Sequence, residues 1–284
     1  MNDLHEAQVG ALVPPVNVWD RGSEKSNHAE GSVLPMESRS LFQWTGTPWL
    51  DPVQLSAKTV ASAATDVHSV ARVLAVLDRL TEDDYLTYLR AYYRSGLDKF
   101  GSYWKYADLL TVLHAATSLI QPKNYLEIGV RRGRSLAVVA AAHPRCELYG
   151  FDMWMADYAG MPNPGPEFVE QELARLGPHG PLRLITGDSR QTVPSFLSAN
   201  PEQYFDLINV DGDHSEAGAR ADLVAVLPRL RRGGVIVLDD IVHPQHRYLE
   251  TLWDQMVGAD PCFTTYKYRD LGYGVALAVR RRDP

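Results

Sequence analysis

Two acidic groups follow short apolar runs: Asp211-Gly212-Asp213-His214 comes after Phe205–Val210, and Asp239-Asp240 after Val235–Leu238. If both runs are neighbouring strands, Asp211, Asp239 and Asp240 converge, and like charges so placed raise one another's pKa. A divalent cation resolves that conflict, and an all-oxygen donor set favours Mg²⁺, Mn²⁺ or Ca²⁺ over Zn²⁺. The same residues have plainer uses, with Asp240 as a helix cap and Asp211 as a ribose or backbone partner. His214 stands three residues after Asp211, at the entrance to a helix. An imidazole titrating at about 6.5 can take a proton from a hydroxyl there, with Asp213 as the competing base; a structural His214 is the alternative.

Upstream, Glu127-Ile128-Gly129-Val130-Arg131-Arg132-Gly133-Arg134-Ser135 has the form of a nucleotide-type turn. A glycine directly after a strand lets backbone approach a ligand, and a second glycine eases entry into a helix. Arg131 occupies the place of the middle glycine of GxGxxG, and GK[ST] is missing, which argues against dinucleotides and nucleoside triphosphates. Asp152 ends the next apolar run and is placed to accept both hydroxyls of a ribose. Gly187-Asp188-Ser189 either receives an adenine amino group or caps the following helix. Met153 opens a loop to Pro166 that contains Trp154 and Tyr158 and either covers the ligand or simply connects two elements. His243 and His246 read as a solvated loop, and Cys146 and Cys262 as inert core residues.

These residues need elements to hold them. From Asn124 onward, apolar runs alternate with helical patterns, the grammar of an α/β sheet. Strands are predicted at Tyr125–Ile128, Leu148–Phe151, Leu182–Thr186, Phe205–Val210 and Val235–Leu238, and helices at Leu136–Ala142, Pro166–Leu176, Ser215–Leu227 and Pro244–Val257. Phe263–Tyr268 and Tyr273–Arg280 flank a turn of Asp and Gly, so the last strand is predicted antiparallel. Ahead of the sheet, three helices are predicted: one from Val67 capped by Asp66, one capped by Thr81 and running towards Gly96, and one from Tyr103 to Ile120. The tyrosines of the second helix read as packing, with a substrate wall as the lesser alternative. The division is therefore an irregular arm over 1–50 with Trp19, Phe42, Trp44 and Trp49, a helical cap over 51–120, and the sheet domain over 121–284.

Composition sets outer limits. A formal charge of -7 gives no global field for nucleic acid or anionic lipid. No apolar run reaches the length of a membrane span, no signal-peptide pattern opens the chain, and the two cysteines lie far apart, so a cytoplasmic, soluble protein is expected.

Taken in order, Glu127 to Ser135, Asp152, Gly187-Asp188-Ser189, Asp211 to His214 and Gly233-Gly234-Val235-Ile236-Val237-Leu238-Asp239-Asp240 resemble a class I S-adenosylmethionine (SAM)-dependent methyltransferase over about residues 103–280. The aspartate and double aspartate are similar to those of metal-dependent O-methyltransferases, and Asp211 to His214 to the macrocin and mycinamicin type that acts on sugars in antibiotic biosynthesis. The resemblance implies a Rossmann-like, mostly parallel sheet with its last strand antiparallel. It implies SAM on Gly129 and Gly133, braced by Glu127 and Ser135, with Asp152 on the ribose beside Met153, and Asp188 and Ser189 at the adenine. It further implies Mg²⁺ or Mn²⁺ on Asp211, Asp239 and Asp240, with His214 or Asp213 as base, and a hydroxylated small molecule as acceptor. Arg131 and Arg134 depart from the small residues common in such loops. A homodimer or larger assembly is expected, with no nucleic-acid or membrane partner. The rival readings are a nicotinamide-dependent oxidoreductase, a metal-dependent hydrolase or hydroxylase, and a non-catalytic SAM-binding protein.

Overall fold

The computed structural model describes residues 54–157, 160–270 and 272–282. The expected arm over 1–50 and Tyr158 lie outside these residues.

Apolar runs of five or six residues, too short for stable helices, pair instead as strands: β1 (Asn124–Ile128), β2 (Glu147–Asp152), β3 (Leu182–Thr186), β4 (Phe205–Val210), the longer β5 (Leu230–Asp239), β6 (Phe263–Tyr268) and β7 (Val275–Arg280). They form one sheet in the order β3-β2-β1-β4-β5-β7-β6. The first five run parallel; β7 pairs antiparallel with β5 and, through the predicted hairpin, with β6. The order reverses between β1 and β4, and ligands of open α/β sheets bind at the carboxyl ends of strands around such a reversal. β1 is buried along its whole length, as a central parallel strand covered on both faces must be.

The cap contains four helices: α1 (Ala57–Ala64), α2 (Val67–Leu77), α3 (Asp84–Phe100) and α4 (Leu109–Ile120). α1, built mainly of small residues, is not foreseen in the sequence; Ser56 caps it, and it is tied to the sheet by Ala57 N–H donating to Thr264 and Tyr268 donating to the Ala61 carbonyl. α2 begins at Asp66 as expected. α3 differs from expectation at both ends. Asp83 rather than Thr81 caps it, because Thr81 spends its N–H and hydroxyl on the buried Glu172. It also runs past Gly96, since there Trp104 lies flat on the helix where any Cβ would overlap its ring. α4 starts at Leu109 instead of Tyr103: Asp108 and Thr111 form a reciprocal capping box, and Tyr93 and Tyr106 hold the same carboxylate.

Between strands run α5 (Arg134–Ala142), α6 (Pro166–Leu176), α7 (Ser189–Ala199), α8 (Glu216–Val226) and α9 (Tyr248–Trp253), the last prolonged by a π-turn over Asp254–Gly258. α7 is the helix that the capping alternative at Asp188 requires, although its bounds are not predicted, and it carries Pro194 inside it. α9 starts four residues later than predicted, after a turn over His243–His246. Two apolar layers result. One face of the sheet packs under α1, α2, α4 and α5 with Tyr125 and Leu113; the other packs under α7, α8 and α9 with Phe151 and Trp253. Cap and sheet belong to one compact unit, Pro52–Pro284. Among the described residues no single helix is long and apolar enough to cross a membrane.

Candidate active site

The site is assembled where β2, β1, β4 and β5 end side by side. After β1 the chain turns through Gly129, whose N–H donates to the Phe151 carbonyl at 2.9 Å, while Asp211 N–H donates to the Ile128 carbonyl at 2.9 Å. Gly129 has φ 91° and lies so close to the Asp211 carbonyl that a Cβ would overlap it. Glycine there brings the β1 turn against the β4 turn as well as leaving room for a ligand. Gly133 has φ 71° and abuts Val169 of α6.

Glu127 and Ser135, each expected beside the cofactor, are in direct contact. The Ser135 hydroxyl and, at 3.0 Å, the Tyr125 hydroxyl both donate to the fully buried Glu127 carboxyl. Burial pushes that carboxyl up to about 8, against the two hydrogen bonds and assisted by Asp211 and Asp152. Asp152 stands at the end of β2 and accepts the Arg131 N–H at 2.7 Å and the Trp154 N–H at 2.5 Å. Its remaining lone pairs can take ribose hydroxyls. Met153 is half exposed beside it, and Trp154 folds back so that its indole N–H donates to Thr186 at 3.0 Å.

The two arginines that depart from the common loop pattern have structural roles. Arg131 takes a left-handed conformation, φ 53°, that aims its backbone N–H at Asp152. Arg134 and Arg132 converge on Asp83, the cap of α3, with Arg132 Nε at 2.7 Å, and Arg132 also covers the Phe168 ring. Asp188 caps α7 and is chelated by Arg190, with Nη2 at 2.7 Å. Both carboxylate oxygens of Asp188 are thus engaged, which fits the capping alternative; Ser189 is the first residue of α7.

Across the order reversal, His214 sits between two of the three expected metal ligands: Nε2 is 3.2 Å from Asp211 Oδ1, and Nδ1 is 3.3 Å from Asp240 Oδ2. Burial alone would lower its pKa, but the hydrogen bond and charge of Asp211, with Asp240 and Asp213, hold it above the ordinary imidazole value. Asp239, the last residue of β5, is driven well upward by burial and then by Asp211 and Asp240; Asp240 is raised by burial and by Asp211. Asp240 adopts φ 59°, a left-handed conformation that turns its carboxylate to the histidine. His214 thus joins Asp211 to Asp240, and Asp239 lies in the field of both carboxylates. Among the described residues, however, no three His, Cys, Asp or Glu side chains are arranged to hold a metal ion. Asp213 points away from the cluster: its Oδ1 and Oδ2 accept from the N–H and hydroxyl of Ser215 at the start of α8.

Several residues were not legible as part of this region. The His243-Pro244-Gln245-His246 segment, read as solvated, stacks its two imidazoles 4.6 Å apart, and His246 lies 5.7 Å from the His214 ring. Tyr248 anchors this wall by donating to the His214 carbonyl at 2.6 Å. Asp222 of α8 is buried next to Gly212, and burial pushes it up to about 6. Its spacing from the Asp211 turn carries no signal in the sequence.

Residues 126–241 match a family described as a methyltransferase domain. The O-methyltransferase TomG from Streptomyces achromogenes, involved in tomaymycin synthesis and solved in complex with SAM, is similar with a TM-score of 0.51 and 22% identity, covering 72% of this chain and 92% of that one. The calicheamicin methyltransferase CalS11 is similar with a TM-score of 0.49 and 20% identity, over 76% and 92% of the two chains. An O-methyltransferase from Bacillus cereus in complex with S-adenosylhomocysteine gives 0.49 and 17%, over 76% and 90%. Curated proteins yield no match to the sequence. Residues 126–241 thus match a methyltransferase domain, and the sheet order gives the chain a Rossmann-like methyltransferase fold.

Proposed function

We propose that the protein transfers the methyl group of SAM to a hydroxyl of a small metabolite, a sugar or another natural-product intermediate, with assistance from a divalent cation. One observation carries this reading: in a methyltransferase domain, an imidazole lies between Asp211 and Asp240 beside the glycine turn that rests on Glu127 and Ser135. A base beside a cofactor site is what hydroxyl methylation needs. The rival dinucleotide reading needs a glycine where Arg131 stands. A hydrolase on the same aspartates would leave the Glu127–Ser135 pair and Asp152 unused.

Methyl transfer from a sulfonium is an in-line displacement, so the protein has to align an oxygen, take its proton and exclude water. In this reading Gly129 and Gly133 let backbone lie against the methionine part, Asp152 accepts from the ribose, and Asp188 and Ser189 border the adenine. His214 takes the acceptor's proton, and the resulting imidazolium donates to Asp211 through Nε2 and to Asp240 through Nδ1. Asp211, Asp239 and Asp240 would hold Mg²⁺ or Mn²⁺, which lowers the pKa of an acceptor hydroxyl. Assembly as a homo-oligomer in the cytoplasm completes the proposal.

The test is calorimetric titration with S-adenosylhomocysteine, with Mg²⁺ and again with EDTA. Binding in both supports the cofactor assignment, and no binding in either refutes it. With an acceptor in hand, Asp239→Asn should abolish metal-stimulated turnover, and His214→Gln should slow it at least about 100-fold. An unchanged rate in either variant removes the corresponding role.

A further inference from the structure

The outer face of α3 carries Tyr85, Tyr88 and Tyr92, which are 46%, 63% and 41% exposed. Residues three and four apart share a helix face, so the three rings form one stripe, and the seven positions from Tyr85 to Tyr92 span about 10 Å. Their exposure departs from the packing role expected of them, and a contiguous exposed aromatic surface is a mark of a binding site. It is also a built surface. Tyr88 and Tyr92 stack at 6.3 Å, Tyr92 meets Tyr106 edge-on at 5.1 Å, and Trp104 lies parallel to Tyr106 at 5.2 Å.

The Tyr85 end of this stripe is within electrostatic reach of the carboxylate site. The Tyr85 hydroxyl lies in the field of Asp108, Asp239 and Asp211, and no hydrogen bond engages it among the described residues. The Arg134 guanidinium sits 5.3 Å from the Tyr85 ring centroid while it grips Asp83 at the start of the same helix. The first turn of α3 is therefore fastened to the glycine loop, and with it the end of the aromatic stripe nearest the reacting centre. Burial, followed by the carboxylates of Asp108 and Asp239, pushes the Tyr85 phenol up to about 12, so it remains a hydrogen-bond donor across the working pH range.

We propose that the Tyr85–Tyr88–Tyr92 face is the acceptor platform, taking an uncharged hydroxylated ring whose flat apolar face lies on the tyrosines and whose hydroxyl edge meets Tyr85, Asp211 and Asp239. The inference rests on the methyltransferase reading and adds the acceptor class to it. A ring stacks on aromatic faces with little loss of conformational freedom, whereas an acyclic diol gains nothing from them. The carboxylate oxygens at that edge accept hydrogen bonds from the ring's hydroxyls.

Ligand-observed saturation-transfer NMR on the full chain loaded with S-adenosylhomocysteine tests this, with catechol, methyl α-rhamnoside and glycerol as separate probes. Saturation should reach at least one ring probe and not glycerol, and the choice between catechol and the rhamnoside tells a phenolic acceptor from a sugar. Tyr88→Ala, at the most exposed of the three rings, should reduce the signal at least threefold, and Tyr85→Phe should reduce it by selective loss at the hydroxyl-bearing edge of the probe. S-adenosylhomocysteine affinity should stay within twofold of the parent in both variants. Transfer to no ring probe, equal transfer to glycerol, or a signal unchanged in both variants overturns the platform and leaves the methyltransferase reading standing. Failure of the parent protein to bind S-adenosylhomocysteine overturns that reading instead.

Discussion

Glu127 is the buried acid at the end of β1 before the Gly129–Gly133 turn, and its environment makes a pH-dependent contribution to stability. Its pKa rises from 4.5 to about 8 on folding, so the folded state holds a proton that the unfolded chain releases. The associated stability is fully present below the unfolded value of 4.5 and is lost as pH rises through about 8. Denaturant titrations at pH 5 and pH 8.5 should show Glu127→Gln losing less stability than the parent over this interval, by on the order of 3 kcal/mol. Equal losses would mean that another group holds the proton. The sequence named Glu127 and Ser135 as site residues, but their pairing appears only in the structure, where the start of α5 returns over the end of β1. The bridging of Asp211 and Asp240 by both His214 nitrogens was not legible either, since it depends on the left-handed backbone at Asp240.

At the scale of elements, α3 shows how local and long-range forces share a boundary. Asp83 accepts the Leu86 N–H as the cap and takes Arg132 and Arg134 from the glycine loop on the same carboxylate. Asp83→Asn retains a capping oxygen and loses the charge; Asp83→Ala loses both. The expected costs are about 1 kcal/mol for the first and about 2 kcal/mol for the second. Hydrogen exchange should quicken in the first turn of α3, and in the alanine variant S-adenosylhomocysteine affinity should fall as the glycine loop loosens. If both substitutions leave exchange at residues 84–88 unchanged, the Asp83 latch contributes nothing. Sequence placed this helix but assigned its cap to Thr81, because a threonine followed by acids is as good a local signal as an aspartate; only Glu172, 91 positions away, decides between them.

For the whole molecule, the cap and the sheet share a core. α4 buries Leu113 and Ala116 in the layer that also holds Tyr125 of β1 and Leu277 of β7, and α1 is tied to β6 through Thr264 and Tyr268. Burying such side chains stabilises by about 1.5–3 kcal/mol each, and a domain's net stability is only about 5–15 kcal/mol. A chain beginning at residue 122 should therefore fail to fold into a species that binds S-adenosylhomocysteine, although it contains every residue placed at the cofactor. Near-ultraviolet circular dichroism and calorimetry check this; a folded, binding-competent fragment would show the cap to be an independent accessory.

The sequence by itself determined the order and nature of the elements of the sheet, the antiparallel finish, and the polar residues at the strand ends. Those features are local: an apolar run bounded by glycine or aspartate carries its own strand and its own turn. Tertiary structure decided which of the aligned polar groups touch. It placed His214 between Asp211 and Asp240, turned Asp213 to the start of α8, engaged Asp188 with Arg190, and brought the Tyr85 phenol into the field of Asp239. Each of these depends on close packing between segments far apart in the chain, where a shift of one side chain exchanges a solvent contact for a partner and no local pattern records the choice.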